Sequence, residues 1–167
     1  MHLPKVDWRV LVCRNRARPR AVIILWLACQ NRLATKDRMG KFGVVTDLKC
    51  LFCRCNEDVQ HLLFECCYTK KIWETVLGWL NVNHSVQGWS EERKWLERIC
   101  RSKNWRSKFV QVAIAEMIYA VWIERNKKVF NRDYREGLVV DSIIDNTVNR
   151  IWECPKYRDR IAKLLVI

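Results

Sequence analysis

Four residues that share one chemistry lie between positions 50 and 66: Cys50, Cys53, His61 and Cys66. In a Cys-x2-Cys turn the loop folds back and aims two thiolates at one point. His-x4-Cys lies within the three-to-five-residue spacing that brings a second ligand pair together at the end of a short helix. Three thiolates and an imidazole in tetrahedral array select Zn2+ over hard cations. Four protein ligands leave no open coordination position, so the expected ion is one structural zinc rather than a catalytic one. The competing reading is that these cysteines are small buried hydrophobes. Cys55 and Cys67 are the nearest spare thiols and are taken as non-ligands. Cys13, Cys29, Cys100 and Cys154 sit in apolar or N-terminal contexts and are expected to pack. His84, in a polar loop, and the terminal His2 are not expected to bind metal.

A second chemistry is positive charge. The chain carries a formal charge of +13, and residues 1–49 hold eleven Lys and Arg against three acids, a local excess of +8. Arg14, Arg16, Arg18 and Arg20 alternate with Asn15, Ala17 and Pro19. Pro19 opposes a helix there, and the residue before it is biased to extended geometry. In an extended chain every second side chain points the same way, so the four guanidiniums would form a comb for phosphates. The alternative is a solvated, poorly ordered arm that serves solubility. Lys49 and Arg54 flank the cysteine turn, and Lys70 and Lys71 follow it. Phe52, Tyr68 and Trp73 could stack on unpaired bases, although each residue type is more often core.

The elements that must position these groups read as helices. Residues 21–33 are apolar nearly all round, as in a buried helix. Thr35 caps a short helix ending before Gly43, and Asn56-Glu57-Asp58 opens another with acids in its first turn. In 68–80, Ile72, Trp73, Val76, Leu77 and Leu80 form one stripe. A polar connection at 81–90 precedes a helix capped by Ser90, with Trp95, Leu96, Ile99 and Cys100 inward. The longest helix is expected over 105–130. Apolar pairs then recur every four residues from Val139/Val140 to Ile151/Trp152, Pro155 ends that helix, and a last one carries Ile161, Leu164 and Leu165. The fold expected is mainly α, with a small zinc-stabilised Cys-x2-Cys/His-x4-Cys element embedded in a helical domain. The divisions expected are a basic arm (1–18), a zinc-binding domain (19–80), a connection with a short helix (81–104) and a helical region (105–167).

Composition narrows the class. The chain has 167 residues, half of them apolar, so intrinsic disorder is excluded. Five Gly and three Pro are too few for a many-turned β-sandwich or barrel. Nine cysteines is an odd number, and the first residues have no apolar signal core, which favours reduced thiols in an intracellular compartment. The apolar run Val112–Ile123 is broken by Glu116 and is too short for a bilayer, so no membrane association is expected.

Two stretches resemble a known family. Pro19-Arg-Ala-Val-Ile-Ile-Leu-Trp26 with Arg32-Leu33-Ala-Thr35-Lys-Asp37-Arg38-Met39 is one. Cys50-Leu-Phe-Cys53 with Gln60-His61-Leu62-Leu63-Phe64-Glu65-Cys66 and Ile72-Trp73 is the other. Together they resemble the zinc-binding domain that follows the reverse transcriptase of plant non-LTR (LINE-type) retrotransposons. Trp122-Ile-Glu124-Arg125-Asn126-Lys-Lys-Val-Phe130 is similar to a Trp-x-x-Arg-Asn-x-x-x-Phe stretch that often follows in such proteins. The resemblance implies Cys50, Cys53, His61 and Cys66 as the zinc ligands. Leu51 and Cys67 stand where proline is usual, and Ala34 replaces the proline before Thr35; no ligand is lost. An upstream reverse transcriptase is implied, yet no paired-aspartate polymerase motif and no endonuclease or ribonuclease H carboxylate set is present. Asp133, Glu136, Asp141 and Asp145 read as solvated surface. The expectation is a non-catalytic fragment or stand-alone descendant of a retroelement protein. Its expected partner is RNA or DNA; the alternatives are a reverse transcriptase domain as protein partner, or a remnant without activity.

Overall fold

The computed structural model describes residues 6–130 and 139–165. Its helices are α1 (Arg9–Val12), α2 (Pro19–Cys29), α3 (Lys36–Lys41), α4 (Cys67–Trp79), α5 (Trp89–Cys100), α6 (Trp105–Phe130), α7 (Val139–Trp152) and α8 (Arg158–Leu165). A π-helical turn spans His61–Glu65 and a 3-10 turn spans Pro155–Tyr157. Among the described residues there is no strand, only an isolated antiparallel bridge between Lys49 and Asn56. The fold is mainly α, as the sequence implies.

The central element is α6, which packs against α2, α4, α5 and α7. Every residue from Phe109 to Ile118 is buried. A helix with apolar side chains all round can hide them only by being surrounded. On α4 the buried side chains are Thr69, Ile72, Trp73, Val76 and Leu77; on α7 they are Val139, Ile143, Thr147 and Ile151, one row every fourth residue. Each such aliphatic or aromatic side chain contributes about 1.5–3 kcal/mol of burial. The buried apolar residues form one cluster running from Leu11 to Leu164. No helix among the described residues is long and apolar enough to cross a membrane.

Buried polar groups inside this cluster are paired. Glu116, fully buried on α6, accepts from the Arg18 backbone N–H at 2.9 Å and from Arg18 Nε and Nη2 at 2.8 and 2.6 Å. Glu92, fully buried on α5, accepts from Trp73 Nε1 at 2.8 Å and the Gln87 N–H at 3.1 Å, and lies 3.0 Å from His84 Nε2. His84 stacks flat on Trp95 with centroids 3.7 Å apart. A lone acid in an apolar helix needs such partners, since an unpaired buried charge is expensive.

Several local expectations are corrected. Pro19 begins α2 rather than opposing a helix, because the first helical position has no use for an N–H. That helix ends at Cys29, four residues early, and Asn31 adopts a left-handed backbone at φ 54°. Helix α5 starts at Trp89 with Gly88 as its N-cap; the N–H and hydroxyl of Ser90 both turn to Gln60 Oε1 instead. The Asn56–Asp58 segment does lead into a helical turn at 59–65, but its acid Glu57 is buried, 1% exposed. Cys13 is exposed rather than packed, whereas Cys29, Cys100 and Cys154 are buried. Asp141 and Asp145 are exposed, and Asp133 and Glu136 lie outside the described residues.

Candidate metal centre

The first half of the centre is a tight turn. Cys50 N–H donates to the Cys55 carbonyl at 2.6 Å, and Arg54 N–H donates to the Cys50 carbonyl at 3.0 Å. Arg54 takes a left-handed backbone at φ 68° to close the loop. The turn also points the Phe52 N–H at Cys50 Sγ, 3.5 Å away. Such backbone donors favour sulfur in its anionic form.

The second half is the π-helical turn. Asp58 Oδ1 accepts from the His61 N–H at 2.7 Å, fixing where the turn begins. The Cys66 N–H donates to the His61 carbonyl at 2.8 Å, closing a loop one residue wider than an α-turn. Cys66 is then the N-cap of α4, where the helix dipole favours a thiolate.

Together the two turns bring one donor atom each from Cys50, Cys53, His61 and Cys66 within 4.8 Å of one another. Cys50 and Cys66 Sγ are 4.0 Å apart, and Cys53 Sγ lies 3.0 Å from His61 Nε2. A tetrahedron with zinc–sulfur bonds of about 2.3 Å has sulfur–sulfur edges of about 3.8 Å, so the donors fit a zinc ion. Cys50 and Cys66 are fully buried, His61 is 8% exposed, and Cys53 is half-buried. Cys55 and Cys67, the spare thiols, are exposed and outside the cluster. The sulfur contact between Cys50 and Cys66 pulls the Cys50 thiol down to about 4 and pushes Cys66 up, because one proton is shared between them. Burial raises Cys53.

The centre is tied to the core by residues that sequence reasoning missed. Glu57 accepts from Arg125 Nη2 at 2.7 Å, from Arg125 Nε at 3.2 Å and from the Lys36 N–H at 3.0 Å. The Glu57 carbonyl also accepts from the Asp37 N–H at 3.0 Å, and its N–H donates to Leu48 at 2.8 Å. Lys36 Nζ reaches the Lys49 carbonyl at 2.6 Å and Asp47 Oδ2 at 3.1 Å. One acid thus pins α3, the cysteine turn and α6 together. Its signal in sequence was slight: an Arg inside the Trp122–Phe130 stretch, 68 residues from the acid it meets.

The expected basic residues divide. Arg14, Arg16, Arg18 and Arg20 do not form an extended comb. Arg14 has a left-handed backbone at φ 59°, Arg18 turns inward to Glu116, and Arg20 lies on α2. The buried Glu116 captures the guanidinium that the alternation would have sent to solvent. Around the metal centre Lys49, Arg54 and Lys71 are exposed and Lys70 is half-buried; none makes an ion pair with a described residue. Of the aromatic residues, Trp73 is fully buried and closed to any base. Phe52 and Tyr68 stack on each other at 4.4 Å, and Lys128 Nζ lies 5.1 Å from the Phe52 centroid.

No curated protein and no solved structure matches the chain. A family model does: residues 1–73, which hold all four donors, match the family described as zinc-binding in reverse transcriptase. The geometry of three sulfurs and an imidazole agrees with that description, so over this segment the chain is similar to a zinc-binding domain of reverse transcriptases.

Proposed function

We propose that this protein is a non-catalytic, zinc-held module of a plant non-LTR retroelement that binds nucleic acid. The observation that carries this reading is the closed Cys50/Cys53/His61/Cys66 donor set, bordered by Lys49, Arg54, Lys70 and Lys71, none of which forms an ion pair with a described residue. Four protein donors fill a tetrahedral ion, which favours a structural over a catalytic metal. When bound, one zinc supplies a cross-link between the cysteine turn and the start of α4. Cys50 and Cys53 hold the turn on which Arg54 and Lys49 ride, and Cys66 fixes the helix that presents Lys70 and Lys71. Cations without an ion pair to any described residue are available to phosphates.

The test is fluorescence anisotropy of a labelled 20-nucleotide oligouridine with the zinc-loaded protein. Four phosphate contacts on a single strand predict a fall in affinity of about fifty-fold between 50 and 200 mM salt. Replacing Lys49, Arg54, Lys70 and Lys71 by Ser removes most of that dependence. Absence of binding at low salt refutes the reading.

A protein-interaction role, with a reverse transcriptase domain as partner, is favoured by a different observation. Phe42 and Val44, in the loop leading to the cysteine turn, are 74% and 68% exposed. Large apolar side chains grouped at a surface mark contact sites. Phe42→Ser with Val44→Ser would abolish such an interaction while leaving oligouridine binding intact.

A further inference from the structure

The N-terminal turn is built onto α6. Gln111, 2% exposed, donates from Nε2 to the Val10 carbonyl at 2.7 Å. Asn15 Nδ2 donates to the carbonyls of Leu11 and Gln111 at 2.8 and 2.7 Å, and its Oδ1 accepts from the Ala17 N–H. Arg150 Nε on α7 donates to the Arg16 carbonyl at 2.9 Å. This clasp fixes the backbone of residues 13–17 and so directs Arg14 and Arg16 over the start of α6.

There they line a cleft of about 230 Å³ with Lys108 of α6 and with Lys156 and Tyr157 of the 3-10 turn. Gln111 and two aliphatic side chains complete the wall, and no carboxylate lines it. The four cations form no ion pair with any described residue. One of the four, Lys156, and two further cations, Arg106 and Arg160, lie over aromatic rings. Lys156 Nζ lies 4.8 Å from the Tyr157 centroid, and Arg106 and Arg160 lie 4.5 and 5.7 Å from that of Trp105. Trp105 meets Phe109 edge-on at 5.0 Å, and Phe109 meets Tyr157 at 5.8 Å. A ring restrains a cation through its quadrupole without cancelling the charge, as a carboxylate would. The cleft is smaller than the roughly 300–1,000 Å³ of small-molecule sites, so it suits one anionic group rather than a whole metabolite.

We propose that this cleft is a second binding site, separate from the metal centre, for the phosphodiester backbone of a nucleic acid strand. Arg14, Arg16, Lys108 and Lys156 take the phosphate, and Arg106 and Arg160 extend the track along α6 and α8. The proposal rests on the nucleic-acid reading above, yet all the residues that line the cleft except Arg14 and Arg16 lie outside the 1–73 family match.

The test is the salt dependence of binding by the full-length zinc-loaded protein, with labelled 20-nucleotide oligouridine, oligothymidine and a 20-base-pair duplex as probes. Lys108→Gln with Lys156→Gln removes two contacts, so the log–log slope should fall by about 1.4 on a single strand or about 1.8 on the duplex. The probe whose slope falls by its full expected amount identifies the strand type. Lys156→Gln alone, at an exposed position, should remove half of it and serves if the double variant loses helicity. An unchanged slope in the cleft variants, with loss on replacing Lys49, Arg54, Lys70 and Lys71, overturns the second site and leaves the proposed function standing. No binding by the unmodified protein overturns both. Competition by poly-L-glutamate equal to that by oligouridine at matched charge overturns phosphate recognition.

Discussion

Arg125→Met is the most informative single change, because Arg125 is the core's hold on the metal-bearing segment. Its side chain is 3% exposed and that of Glu57 is fully buried. Methionine keeps the length of the stem and fills similar space, so the change removes the charge and the fork of donors with little cavity. Glu57 would then keep only the Lys36 N–H on its side chain. Breaking a buried pair from one side costs about 3–5 kcal/mol, because the remaining charge is uncompensated. Against a typical domain stability of about 5–15 kcal/mol that is about a fifth or more. With a urea m-value of about 2 kcal/mol/M, the midpoint should drop by about 2 M. The companion change Glu57→Gln restores a neutral group, so the double variant should recover a large part of the loss. Urea melts of the four proteins, followed by circular dichroism with zinc present, close the cycle. A loss below about 1 kcal/mol for Arg125→Met, or strict additivity in the double variant, would falsify the claim that this pair anchors the centre.

Four further outcomes follow from the geometry. Chelation of zinc, or Cys50→Ser, should lower stability by about 4 kcal/mol relative to protein held at a thousandfold excess of free zinc over Kd; equal melts with and without chelator would contradict a structural ion. Zinc must displace the protons of Cys53 and Cys66, whose thiols are raised, so affinity should fall by about tenfold per pH unit for each proton released as pH drops below neutrality, measured by competition with a chromogenic chelator. In the folded protein Cys13, Cys55 and Cys67 should be alkylated by iodoacetamide at pH 8, while Cys29 and Cys100, whose thiols burial pushes up to about 12, stay unmodified until unfolding; mass mapping of modified peptides decides this. Glu92→Ala strips Trp73 and the Gln87 N–H of their acceptor and should cost about 2–4 kcal/mol in a urea melt, with no change in zinc stoichiometry.

What the sequence made legible was local. The Cys-x2-Cys and His-x4-Cys spacings lie within a few residues, and the two turns that converge their donors are short loops with backbone hydrogen bonds of their own. Helices α6 and α7 follow from periodicity and length, since Val139, Ile143, Thr147 and Ile151 recur at one spacing. The long-range electrostatics were not legible. Glu57 has the composition of a solvated first-turn acid, and only its partner 68 residues away makes it a buried one. Arg18 alternates with its neighbours like a surface residue, yet Glu116, 98 residues on, draws it inward. Glu116 interrupting an apolar run was a hint that some cation must meet it, but nothing in the local pattern says which.

The clasp between Asn15 and Gln111 also bears on how this chain can be cut. The stretch that matches a known family stops at residue 73, but its helices α1 and α2 lie against α5 and α6, which come later in the chain. A fragment ended at that boundary would strip α1 and α2, with their buried Leu11 and Leu25, of the helices they pack on and strand Glu57 without its arginine. The natural unit for expression is therefore set by packing rather than by the edge of the recognisable sequence. Dissecting the protein at that edge should yield an insoluble piece even with zinc supplied.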